Sequence, residues 1–225
     1  MVPAAVATPK GPWEETMKKT CATLLAVAAA AVLGACSDAT GASGSGNSTM
    51  QVSAVGDDNG TTNSMAPAQQ GQAPRFATTT ANGTVDFRAR VYVQTQAGSW
   101  AELTNNAASH AVVDASGKAG AVVLATSHVE AETYARVRVV FTQVNASLSS
   151  SLSVSTGLLS GNVSVDSHGD GSITVERQVS VTANAGSTAH LLVNLNSDVW
   201  LNQASATTHT VSETAFASAV QVSSY

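Results

Sequence analysis

The chain has 225 residues, a formal net charge of −5 and only 11% charged side chains, with 44% apolar and 4% aromatic residues. There is no basic surplus to neutralise a phosphate backbone, which argues against nucleic acid as a partner. Two cysteines exclude a disulfide scaffold and a thiolate metal site, and no apolar run of about 20 residues lies beyond residue 36, which leaves no later membrane-spanning helix.

The first informative stretch is residues 17–36, MKKTCATLLAVAAAAVLGAC. Lys18 and Lys19 make a positive n-region, and residues 24–33 an apolar h-region too short to span a bilayer as a stable helix. Leu33, Gly34, Ala35 and Cys36 follow, and this order resembles a bacterial lipobox. Small residues let an extended segment enter a peptidase cleft, and a thiol is the nucleophile that takes a lipid through a stable thioether. The resemblance implies a signal peptide over 17–35, cleavage between Ala35 and Cys36, and lipidation of Cys36 by a diacylglyceryl group, usually with an amide-linked acyl chain. One acyl chain alone holds a protein only marginally, with K about 10⁴ M⁻¹, and further chains make the anchor durable. Ser37 stands where an Asp would be associated with inner-membrane retention, so the resemblance points to the outer membrane of a two-membrane bacterium. Residues 1–16, with Glu14 and Glu15 ahead of the lysines, fit an n-region poorly and read as a misassigned upstream start. Cys21 leaves with the leader, so apart from the acceptor Cys36 the mature chain has no cysteine.

Residues 37–75 are dominated by Gly, Ser, Asn, Thr, Ala and Gln. Met50, Val52, Val55 and Met65 show no sustained period, and such a segment buries too little apolar surface to offset its ordering entropy. With Cys36, it reads as a lipidated, disordered tether over 36–75, with an r.m.s. span of roughly 30–40 Å. The alternative is that residues 49–55 add an edge strand.

Residues 76–225 form the predicted domain, long enough to bury roughly two-thirds of its unfolded surface. Period-two alternation dominates. Val85, Phe87, Ala89, Val91 and Val93 alternate with Asp86, Arg88, Arg90, Tyr92 and Gln94. Ala135, Val137, Val139 and Phe141 alternate with Arg136, Arg138, Val140 and Thr142. Ile173, Val175, Val179 and Val181 make a third strand in which Arg177 interrupts the apolar set, a conflict that a bulge or break would resolve. Leu191, Val193 and Leu195 make a fourth. Shorter strands are predicted over 100–103, 111–114, 121–125, 158–165 and 215–222. Turn chemistry falls at 96–99, 115–118, 166–171 and 184–187, of which 115–118, 166–171 and 184–187 read as hairpin connections. One short helix is predicted over 197–202, capped by Ser197 or Asp198. Trp100, Tyr134, Phe141, Trp200 and Phe216 are the expected core anchors. The pattern predicts an all-β chain forming a single antiparallel β-sandwich.

The run Val129-Glu130-Ala131-Glu132-Thr133-Tyr134-Ala135-Arg136-Val137-Arg138-Val139 resembles a segment of prealbumin-like sandwich domains, in which an A-G-T-Y turn leads into a strand and Tyr closes the corner. Glu132 stands at the position of that Gly. Leu191-Leu192-Val193-Asn194-Leu195-Asn196 resembles the polar-ended strand of a domain of unknown function common in bacterial surface lipoproteins. The resemblance implies a prealbumin- or immunoglobulin-like sandwich in the cell envelope and no particular chemistry.

Tests for chemistry return little. Asp166-Ser167-His168-Gly169-Asp170-Gly171 places oxygens and a Gly as a calcium loop would, but His168 is a poor hard-cation ligand and Arg177 occupies the position that needs a bidentate Glu; it reads as an Asp-Gly turn. His110, His128, His168, His190 and His209 have no metal-ligand spacing, and no serine lies in a nucleophile motif. No catalytic, metal or cofactor site is therefore predicted. Arg88, Arg90, Arg136 and Arg138 lie on outward faces, and would form a cationic stripe for an acidic sugar or lipid headgroup if their strands were neighbours, unless they pair with Asp86, Glu130 or Glu132. The reading is a non-catalytic envelope lipoprotein, anchored to the membrane through lipid on Cys36, that binds an envelope protein or glycan or contributes to envelope architecture. A carbohydrate-binding or adhesion module is the alternative, with Tyr92 as its aromatic candidate. A hydrolase with an unrecognised site is the second.

Overall fold

The computed structural model describes residues 46–57, 80–167, 169 and 171–225. The upstream segment 1–16, the leader 17–35, the cleavage pair Ala35 and Cys36, the lipid acceptor Cys36, and most of 36–75 lie outside the described residues, as do His168 and Asp170. The described part is all-β, with two mixed sheets and two short helices.

The large sheet is built on two long antiparallel partners, β2 (Gly83–Thr95) and β6 (Thr133–Val154). The alternation read in the sequence is the cause of β2. Val85, Phe87, Ala89, Val91 and Val93 are fully buried, and the residues between them face outward. On the free edge of β2, β3 (Trp100–Glu102) and β4 (Ser109–Asp114) follow one another end to end. On the free edge of β6, β8 (Ile173–Thr182) pairs the first half and β7 (Gly157–Asp166) the second. The 166–171 segment therefore joins two strands that lie end to end along β6, and is not a hairpin.

β6 runs for 22 residues, far past the predicted end at Thr142. Thr142 is a bulge, since Arg88 pairs Gln143 while Ala89 pairs Phe141. The inward set is Val137, Val139 and Phe141 before the bulge, and Val144, Ala146 and Leu148 after it. The one-residue phase change hides the continuation from a period-two reading. Ala135 is not in the buried set; a register irregularity between Tyr134 and Arg136 turns Tyr134 inward instead.

The small sheet has the order β11 (Gln221–Ser224), β9 (Thr188–Asn194), β1 (Asn47–Val55), β5 (Val122–Glu130). Here the tether reading is corrected over Asn47–Val55. β1 is neither disordered nor an edge strand; it lies between β5, antiparallel, and β9, parallel, with Met50, Val52 and Ala54 fully buried. Of these three side chains only Val52 is a strong strand former, and two flanking strands supply the pairing that holds the segment. The wholly antiparallel expectation is corrected too. β1 pairs β9 in parallel, and so does β10 (Thr210–Ser212) with β7, each across a long stretch of intervening chain. The 115–118 turn passes between the two sheets, from β4 to β5, and the 184–187 turn does so from β8 to β9, so neither is a hairpin.

The predicted strand over 215–222 is instead α2 (Glu213–Ala219) followed by β11. Ser212 is its N-cap and accepts a hydrogen bond from the Ala215 N–H at 3.3 Å, and an Ala-rich run follows. α1 (Ser197–Leu201) is the expected helix, but its N-cap position is held by Asn196 in the left-handed region, φ 46°. Ser197 and Asp198 do other work. The Ser197 hydroxyl donates to the carbonyls of Gly56 and Ala115, and buried Asp198 accepts from the Ala81 N–H at 2.8 Å, so α1 fastens the chain just after β1 and β4 and just before β2.

One hydrophobic cluster draws residues from both sheets and both helices. Its aromatic spine runs from Trp200 to Phe216 (centroids 5.5 Å), Phe141 (5.1 Å) and Phe87 (5.8 Å). Tyr134 is also buried, and its hydroxyl donates to the Glu130 carbonyl at 3.0 Å across the β5–β6 corner. Glu132 in that corner does not adopt a positive φ, so no glycine is needed there. Trp100 is the exception among the expected anchors. It is half-buried on the outer face, where a side chain from β6 covers its ring.

Candidate functional site

The same alternation that fills the core writes the outer face of the large sheet. β2 and β6 are neighbours, so the condition for an arginine stripe is met. Arg138 lies opposite Tyr92 and Arg136 opposite Gln94, while Arg88 and Arg90 occupy the preceding outward positions of β2. Residues 80–225 carry six lysines and arginines, and four of them share this face.

The arginines are held differently. The Arg138 Nε donates to Glu176 Oε1 at 2.7 Å, and its guanidinium carbon sits 4.2 Å from the Trp100 ring centroid. A cation on an indole face is worth about 0.5–1 kcal/mol at an exposed site, so β3 and β8 together fix this fork from two sides. Arg90 Nη2 donates to the Asn106 carbonyl at 2.9 Å. Its pKa is raised, first by the Tyr92 hydroxyl and then by the Glu102 charge, so it stays charged at any ordinary pH. Arg88 and Arg136 have neither an ion pair nor a side-chain hydrogen bond among the described residues, and both are exposed. The pairings expected with Asp86, Glu130 and Glu132 are not the ones formed; Arg138 takes Glu176, and Asp86 is 2.9 Å from His110 Nε2.

At the other end of the face lies a depression of about 480 Å³. Thr84 and Asp86 of β2, Asn145 and Ser147 of β6, and Ser164 of β7 line it, and His209 stands at its rim. Ser147 Oγ donates to Asn162 Oδ1 at 3.0 Å, so part of the hydroxyl and amide lining is already oriented. The rim is formed by a turn in which His209 takes φ 56° and its Nδ1 lies 3.3 Å from the Asn162 carbonyl. Hydroxyls, amides and one carboxylate over such an area can recognise a polar, hydroxyl-rich ligand through many weak hydrogen bonds.

The remaining candidates are dispersed. His128 is exposed, and His190 stacks on Tyr225 with centroids 5.2 Å apart. Among the described residues no three His, Cys, Asp or Glu side chains are grouped to hold a metal ion, and no helix is long and apolar enough to cross a membrane. Sequence reasoning found the arginines and Tyr92 but missed Trp100 as their support and missed the depression altogether. The missing signal was the alternation of Asn145 and Ser147 with Val144, Ala146 and Leu148, out of phase with the strand before it.

No family profile, curated protein or solved structure matches the chain.

Proposed function

We propose that the protein is a non-catalytic cell-envelope lipoprotein that presents the outer face of its large sheet to a partner in the envelope. In this reading the leader is cleaved between Ala35 and Cys36, and lipid on Cys36 anchors the chain, in the outer membrane by the Ser37 rule. The two sheets face each other as a β-sandwich of the prealbumin- or immunoglobulin-like kind. Support for the sandwich comes from the single hydrophobic cluster fed by both sheets. The observation that carries the binding role is the segregation of charge, with four arginines gathered on one face of a chain whose net charge is −5.

Since β1 begins at Asn47, only residues 37–46 separate Cys36 from the folded unit. Ten residues reach at most about 35 Å, which bounds the distance between an anchor on Cys36 and the start of β1. The carbohydrate-binding alternative is favoured by the polar depression on the same face. The anchor is tested by Cys36→Ser, which should abolish incorporation of labelled fatty acid and release the protein from the membrane fraction. A variant that still sediments with membranes defeats the localisation.

A further inference from the structure

The outer face of the large sheet joins a cationic track to a hydroxyl-lined depression, and we propose that together they bind a linear, uronate-bearing polysaccharide. This inference rests on the binding role proposed above and names its ligand class. Outward residues on one strand recur about every 7 Å. Arg88 and Arg90 occupy two successive steps on β2, and Arg138 and Arg136 stand beside the next two, Tyr92 and Gln94. The four arginine positions therefore step along the face for about 20 Å, crossing from β2 to β6 midway. Asp86 and Thr84 continue the line in the opposite direction into the depression.

The chemistry of the track is selective. A guanidinium fork matches a carboxylate in two parallel hydrogen bonds. Arg88 and Arg136 have no partner to give up, and Arg138 spends only its Nε on Glu176, leaving both Nη groups for a ligand. Asp86, Glu102 and Glu176 interleave with the arginines on this face. Those carboxylates repel any anion set directly against them, and they accept hydrogen bonds from free sugar hydroxyls, which a chain of deoxynucleotides joined by phosphodiesters lacks. Gln94, Gln143 and Thr174 fill neutral positions between them with groups of the same kind. A chain whose units carry both free hydroxyls and a carboxylate satisfies both sets, whereas single-stranded nucleic acid needs an uninterrupted basic groove with free aromatic faces. The Trp100 ring is already occupied by Arg138.

The test uses the full chain in detergent micelles with oligogalacturonate as probe, and with neutral dextran oligomers and oligothymidylate of matched length. Oligogalacturonate should bind, more weakly as salt rises. The double variant Arg88→Gln with Arg136→Gln should lose about tenfold in affinity, while Lys118→Gln, an exposed cation in the β4–β5 connection, should change it less than twofold. Both arginines are exposed and unpaired, so an unchanged melting curve will show that the double variant is folded. The proposal is overturned if oligogalacturonate does not bind, if the double variant binds it as tightly as the parent, or if oligothymidylate binds equally well. Dextran binding that ignores the arginines overturns the uronate inference and leaves a glycan-binding role standing. Membrane retention of Cys36→Ser defeats the anchoring and leaves this test unaffected.

Discussion

Arg177 lies on the inward side of β8, opposite Val137, where the sequence pattern calls for an apolar residue. The strand does not break there; the nearest register irregularity falls between the Tyr134–Val181 and Arg136–Gln178 pairs. The guanidinium instead closes the C-terminal end of α2. Its Nη2 donates to the carbonyls of Ala217 at 2.6 Å and Val220 at 2.7 Å, its Nε to Val220 at 3.0 Å, and its Nη1 to Glu176 at 2.9 Å. A helix end leaves carbonyls without partners, and a cation there also meets the negative end of the helix dipole. Burial lowers the pKa of Arg177 from its ordinary value, and a guanidinium remains charged across the neutral range. Arg177→Met keeps the apolar stem and removes the fork. The buried Val220 carbonyl then loses two charge-assisted donors, and the half-buried Ala217 carbonyl loses one. Charge-assisted bonds contribute about 1.5–3 kcal/mol net, and relief of guanidinium desolvation offsets part of the loss. The expected destabilisation is about 2–3 kcal/mol. For a folded unit of this size that lowers the melting temperature by about 4–12 °C, read by circular dichroism and checked by urea titration. Arg177→Lys should recover only part of it, because one ammonium cannot bridge both carbonyls as a fork does. The reasoning fails if the Met variant melts within about 1 °C of the parent.

Val52→Asp places a charge at a fully buried position between Ala125 and Leu191 and should unfold most of the population, at a cost above about 4 kcal/mol; if limited proteolysis leaves the variant as resistant as the parent, β1 is not part of the core. Gly117 has φ +72°, and a Cβ there would lie 1.6 Å from the Asp57 carbonyl oxygen, whereas Gly120 has φ +83° in open space. Gly117→Ala should therefore cost about 2–4 kcal/mol in urea unfolding and Gly120→Ala only about 1–2, and equal costs would remove the steric argument. Tyr134→Phe should cost about 1 kcal/mol through the lost bond to Glu130. The Tyr134 pKa is pushed up to about 12, first by burial and then by Glu132 and Glu130. The folded state thus keeps a proton that the unfolded state loses near its ordinary 10.0, so stability should fall between about pH 10 and 12. Stability-against-pH curves should show that fall diminished in Tyr134→Phe.

How far the fold could be read depended on whether the local pattern agreed with its surroundings. β2 and β9 were legible because each presents an uninterrupted apolar alternation whose inner residues are now buried. The second half of β6 was not, because the Thr142 bulge shifts the alternation by one residue and the buried set continues through Val144, Ala146 and Leu148. β1 was lost to composition, since among its inward residues Ser48, Met50, Val52 and Ala54 only Val52 is a strong strand former until β5 and β9 flank them. The 215–222 segment was misread because a short apolar run fits either a strand or a helix, and the choice was made by the Ser212 cap and the Arg177 fork. In the candidate site the four arginines were visible as outward residues, but neither the Trp100 support nor the depression was, since each is assembled from strands distant in sequence.

The sequence by itself determined the all-β class and the inward and outward faces of β2. Those follow from the two-residue period of an extended backbone, which is a local property of the chain. Tertiary structure alone decided the strand order, the parallel entry of β1 beside β9, the diversion of Ser197 and Asp198 from capping to fastening loops, and the alignment of arginines from two strands into one track. Each of these requires partners far apart in the chain, and the free energy that selects them comes from pairing and burial that do not exist until both partners are in place.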